Sequence, residues 1–230
     1  MTYADYIALA VFVLLWTGYT FTVDGRIFGN RLSLSRLMME NRRRWIMNSL
    51  KRDLKMIDTQ IIAGLQAGTA FFASTTIFAL GGCFALLGAT DQAQAIFQDL
   101  PYVFHGGRTA FELKVGGLTC LFGYSFFKFG WAYRLFNYCS IIIGGIPMMS
   151  DLNQDIEEAQ RRAERAVRLN IDAAKHFNAG LRAIFLSIGY LGWFISPYVF
   201  TALTVFVIFV LIRRQYFSEA REALMETLPG

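Results

Sequence analysis

The chain has 230 residues, 55% of them hydrophobic and only 17% charged, with a mean hydropathy of +0.39. Long charge-free stretches alternate with dense basic ones, which excludes an ordinary soluble domain and reads as a polytopic membrane protein. The net charge of +5 comes without a glycine-rich phosphate loop or a nucleic-acid module, so no nucleic-acid partner is expected.

The first apolar run covers about residues 5–23, IALAVFVLLWTGYTFTV at its centre. At about 1.5 Å per residue it fills most of a ~30 Å hydrocarbon core. It is read as an uncleaved first span, since the residues before it lack the positive start of a secretory signal and carry Asp5. Trp16 and Tyr19 are aromatic anchors for an interface.

Residues 24–57 hold nine basic positions, among them Arg42, Arg43, Arg44, Lys51 and Arg52. Leu34, Leu37, Met38, Trp45, Ile46, Leu50, Leu54 and Ile57 recur among them largely at three- and four-residue spacing. The segment 34–57 is therefore an amphipathic helix whose basic face suits an anionic leaflet. A second span is expected over 58–89, with Gly64, Gly68, Gly81 and Gly82 as positions of close helix packing. Residues 90–109 read as a polar loop with one basic residue, Arg108, and with His105 in solvent.

The third span, 111–146, contains Lys114, Lys128 and Arg134. Lys114 and Arg134 are twenty residues apart, about 30 Å of helix, which sets them at the two edges of the hydrocarbon over 114–134. Lys128 then lies roughly 9 Å inside the Arg134 edge. Charges at such depth either pair or mark a pathway, so Asp58, Lys128 and Arg134 are the candidate site, with Asp58–Arg134 or Asp58–Lys128 as expected pairs.

Residues 150–178 form an amphipathic helix capped by Ser150 or Asp151. Glu157–Arg161, Glu158–Arg162 and Glu164–Arg168 are spaced for i,i+4 pairing. Leu152, Ile156, Ala159, Ala163, Ala166 and Asn170 make a narrow seam that needs a partner surface. The fourth span, 184–212, has Pro197 in its middle, where a kink is expected. Lys and Arg number nine in 24–57, six in 147–183, one in 90–109 and three in the tail. Both rich segments are therefore cytoplasmic and both termini lie outside, as in a bacterial inner membrane; the tail's arginines dissent.

No catalytic motif, metal cluster or cofactor site emerges, and Cys83, Cys120 and Cys139 read as buried thiols without CxxC spacing. The expected fold is an all-α, four-transmembrane-helix bundle with two amphipathic cytoplasmic helices. The expected role is a scaffold, assembly or accessory subunit, with the bilayer, another membrane protein or a second copy as partners. The alternative is a small oligomeric transporter or channel using Asp58, Lys128 and Arg134. A lipid-directed enzyme ranks behind both.

Arg43-x-Trp45, Asp58-x-Gln60, Ala73-Ser74-Thr75, Lys128-Phe129, Arg134 and Tyr138, then Arg182, Tyr190, Trp193 and Pro197 occur in this order along the chain. In this order they resemble the membrane-protein family described as domain of unknown function 599. The resemblance implies four spans and supplies no activity.

Overall fold

The computed structural model describes residues 1–24, 32–98, 107–148 and 156–225. In chain order the helices are α1 (Tyr3–Asp24), α2 (Leu34–Asn48), α3 (Met56–Gly88), α4 (Thr90–Gln98), α5 (Arg108–Gly144), α6 (Ile156–Leu191), α7 (Pro197–Tyr216) and α8 (Glu219–Met225). Short 3₁₀ turns follow α2 and α6, and no strand occurs among the described residues. Three stretches are long and apolar enough to cross a membrane: Tyr3–Val23, Met56–Gly88 and Pro197–Met225. The chain forms two compact units, the first from 1–35, 76–125 and 181–230, the second from 36–75 and 126–180.

In the first unit α1 and α7 run parallel. Phe12 meets Phe200 at 5.3 Å between ring centroids, the Tyr19 hydroxyl donates to the Leu211 carbonyl at 3.5 Å, and that of Tyr216 donates to the Thr22 carbonyl at 3.4 Å. Tyr19 is thus a buried packing residue (7% exposed) rather than an interfacial anchor. Trp16 meets Tyr124 of α5 edge-on at 5.5 Å.

The expected kink at Pro197 is a full break. α6 continues without interruption from the amphipathic segment through to Leu191, because nothing between Asn178 and Leu191 stops a helix. Pro197 then opens α7, and Ser196 caps it with extended backbone and a side chain that accepts from the Val199 N–H at 3.1 Å. Proline is suited to a first helical position, where its missing N–H would have no helical partner. α7 folds back on α6 as a hairpin. Two glycines permit the contact: a Cβ on Gly189 would meet Thr204 backbone at 3.2 Å, and one on Gly192 would meet the Phe200 nitrogen at 3.1 Å.

This hairpin corrects the expected topology. The start of α1 lies beside the α6–α7 turn, where the Trp193 indole donates to Asp5 at 2.7 Å. The other end of α7 lies beside the end of α1, and Arg221 donates to the Leu32 carbonyl at 2.9 Å. The first residues and the C-terminal tail are therefore at opposite ends of α1, not at the same end. α4 replaces the start of the expected polar loop. Asp91 in its first turn pairs with Arg108 at 3.0 Å. His105, Ser150, Asp151 and Leu152 lie outside the described residues.

The second unit has its own core, in which Ile46, Ile62, Phe136, Cys139 and Ile143 enclose the seam Ala159, Ala163 and Ala166. The three seam alanines and Asn170 are fully buried, while Ile156 is exposed. Small residues let α6 approach α5 closely, as the narrow seam predicts. α5 and α6 are antiparallel here: Arg162 donates to the Gly145 carbonyl at 2.6 Å, and the Cys139 thiol donates to the Ala166 carbonyl at 3.4 Å. The predicted helix over 34–57 is shorter, ending at Asn48 and followed by a 3₁₀ turn, Ser49–Lys51. Leu54 and Ile57 remain exposed.

Candidate functional site

Asp58 sits in the first turn of α3, where the unsatisfied N–H groups favour a carboxylate. It is fully buried. Trp45 Nε1 donates to its Oδ1 at 2.7 Å, and Arg52 Nη1 donates to the same oxygen at 2.6 Å. The partner is therefore a cation of the preceding loop, not Lys128 or Arg134. Asp58 Oδ2 has no hydrogen-bond partner among the described residues. Sequence proximity decides this pairing: a loop of a few residues presents Arg52 at little entropic cost.

Arg134 is exposed. Its Nε donates to the Tyr138 hydroxyl at 2.5 Å, and the guanidinium lies 5.9 Å from the Trp131 ring centroid. Lys128 is half-buried on the same helix. The three candidate charges thus have separate surroundings.

The basic residues of α2 are tied inward more than a lipid-facing stripe would be. Arg42 donates to Asn170 Oδ1 at 2.5 Å, and Asn170 donates to the Cys139 sulfur at 3.7 Å. Desolvation holds the Arg42 guanidinium below its ordinary value and pushes the Cys139 thiol up to about 11. Arg43 pairs with Glu164 at 2.5 Å, which takes Glu164 from its expected partner Arg168. Arg44 pairs with Glu40 within α2 at 3.4 Å, and Lys51 is exposed. The other two expected pairs form, Glu157–Arg161 at 3.2 Å and Glu158–Arg162 at 3.0 Å.

The glycines of α3 pack against nothing within the described chain. A Cβ on Gly64, Gly68, Gly81 or Gly82 would have no atom within 4 Å. Close contact occurs instead at Gly117, where a Cβ would lie 2.1 Å from the Tyr190 hydroxyl, and at Gly180, where one would lie 2.7 Å from the Phe129 ring.

The first unit contains a buried polar group that the sequence reading passed over. Asp5 is fully buried and accepts from Trp193 Nε1 on Oδ1, and from the Thr2 backbone N–H at 2.7 Å and hydroxyl at 2.9 Å on Oδ2. Lys114 does not reach out to an interface. It is 5% exposed, donates to the Trp193 carbonyl at 2.8 Å and lies 3.9 Å from Asp5 Oδ1. Lone charges in α1 and α5 were the available signal. Their meeting depends on the α6–α7 turn, which no spacing in the sequence announces. Cys120 differs from the other thiols in being exposed, whereas Cys83 and Cys139 are buried. No group of three or more potential metal-ligating residues occurs among the described residues.

These features define an all-helical protein, among the described residues, with apolar helices of membrane-crossing length. The chain belongs to the family described as "Protein of unknown function, DUF599", whose model matches residues 7–220. No curated protein and no solved structure matches it.

Proposed function

We propose that the chain is a non-enzymatic membrane subunit that crosses the bilayer five times and presents the α2–α6 face of its second unit to a partner protein. The crossings are α1, α3, α5, the later part of α6, and α7. α6 has 36 residues, about 54 Å of helix, enough to cross a ~30 Å core and still extend beyond it. Its far end lies beside the start of α1, which supports a full crossing. An odd number of crossings also moves the tail's Arg213, Arg214 and Arg221 to the basic, cytoplasmic side and removes the dissent in the charge count.

The observation that carries the role is how α2 is fixed. Arg42, Arg43 and Arg52 are committed to Asn170, Glu164 and Asp58, so the helix is held in a set position instead of lying loosely on lipid. Arg165 and Arg168 stay exposed on the neighbouring helix and offer a basic surface to an acidic partner.

The test is affinity purification of the tagged chain in mild detergent, with mass spectrometry of what accompanies it. A stoichiometric protein partner is expected, lost on Arg165→Glu with Arg168→Glu while the thermal midpoint stays unchanged. A homo-oligomer without a partner would overturn the role and favour the oligomeric transporter. That rival asks Asp58, Lys128 and Arg134 to line one path, whereas Asp58 is held by Arg52 and Trp45.

A further inference from the structure

The first unit contains a cavity of about 410 Å³ between α1, α5 and the end of α6. Its lining includes Phe12, Trp16, Gly117, Cys120, Tyr190 and Trp193, and no charged side chain lines it. Exposure separates floor from mouth: Phe12, Tyr190 and Trp193 are at most 3% exposed, whereas Val13 is 48% exposed and Cys120 is exposed.

The floor is aromatic. Phe12 meets Trp16 at 5.8 Å and Tyr190 at 5.7 Å, both edge-on, and Tyr190 meets Trp193 at 5.2 Å. Gly117 makes room for the Tyr190 phenol, since a Cβ there would overlap it. The Trp193 indole N–H is already given to Asp5. The Tyr190 hydroxyl is given to no described residue, although the side chain is 98% buried by its 2% exposure. In the cavity lining, that hydroxyl can donate to a ligand with an acceptor oxygen.

We propose that this cavity binds a neutral lipophile with a carbonyl oxygen on its head, that carbonyl accepting from Tyr190 and the apolar chain leaving past Val13 and Cys120. With no charged side chain on the aromatic floor, an ionic head would find no counter-charge there. The volume is that of a small-ligand site. This site is independent of the partner surface on the second unit. Two membrane sources carry the chemistry, a prenyl quinone and a glyceride ester.

The test uses the full chain in detergent, titrated separately with decylubiquinone and with dioleoylglycerol. The readout is the rate at which N-ethylmaleimide labels Cys120, the exposed thiol at the mouth. Saturable protection of at least fivefold by either compound is expected, and the compound that protects identifies the source. Tyr190→Phe keeps the ring and should weaken that protection about tenfold, with the thermal midpoint held as the folding control. Val13→Trp, which narrows the mouth, should abolish it. Protection that never saturates, or is equal in Tyr190→Phe, means a crevice filled by any lipid and overturns the proposal.

Discussion

Two residues that the sequence presents as isolated charges, Asp5 and Lys114, meet inside the first unit at 3.9 Å. Removing one partner of a buried pair leaves the other uncompensated. Lys114→Met is expected to lower stability by about 3 kcal/mol, whereas Asp5→Asn, which keeps an acceptor for Trp193, should cost less; thermal unfolding in detergent checks the order. Cys139 gives a pH test in the second unit. Its thiol is raised by burial from an ordinary 9.0 to about 11, so the folded chain holds this proton more tightly than the unfolded chain. The stabilisation is complete below pH 9 and is lost as pH rises toward 11. Cys139→Ser should flatten that part of the stability–pH curve, and an unchanged slope would refute the assignment. Both residues could be named from the sequence, but their partners could not, because each contact joins segments far apart in the chain.

At the scale of elements, periodicity and composition made α1, α3 and the alanine seam of α6 legible. The seam residues Ala159, Ala163 and Ala166 are all fully buried. Boundaries were less legible where two signals competed. Proline within an apolar run reads equally as a kink or as a helix start, and only the extended backbone of Ser196 decides between them. The glycines of α3 meet no other helix of the described chain, since a small residue permits close approach without requiring it. Gly180→Ala should cost about 1–3 kcal/mol by pressing on the buried Phe129 ring. Gly64→Ala and Gly68→Ala, with open space before them, should change stability by no more than about 0.5 kcal/mol. A shift in oligomer size on Gly64→Ala would instead place a second helix on that face.

For the whole molecule, the charge count expects both termini on one side, whereas the first residues and the tail lie at opposite ends of α1. The five crossings proposed above would put the first residues outside and the tail inside. A green fluorescent protein fused to the tail should therefore fluoresce, and a phosphatase fused before residue 1 should be active. The reverse pair of results would restore an even number of crossings. The family match covers residues 7–220, nearly the entire chain.

The hairpin of α6 and α7 also bears on how the protein is made. The later part of α6 carries Arg182 near its middle, and a charge there opposes entry of a lone helix into the bilayer by about 2.5–3.5 kcal/mol. α7, from Pro197 to Tyr216, has no charge until Arg213. Under the five crossings proposed above, α6 would enter poorly before the ribosome has delivered α7, and the two would go in together. The order of synthesis is built into the chain: a ribosome stalled before Pro197 would leave α6 stranded on the surface, open to proteases, and its release would let the fold close.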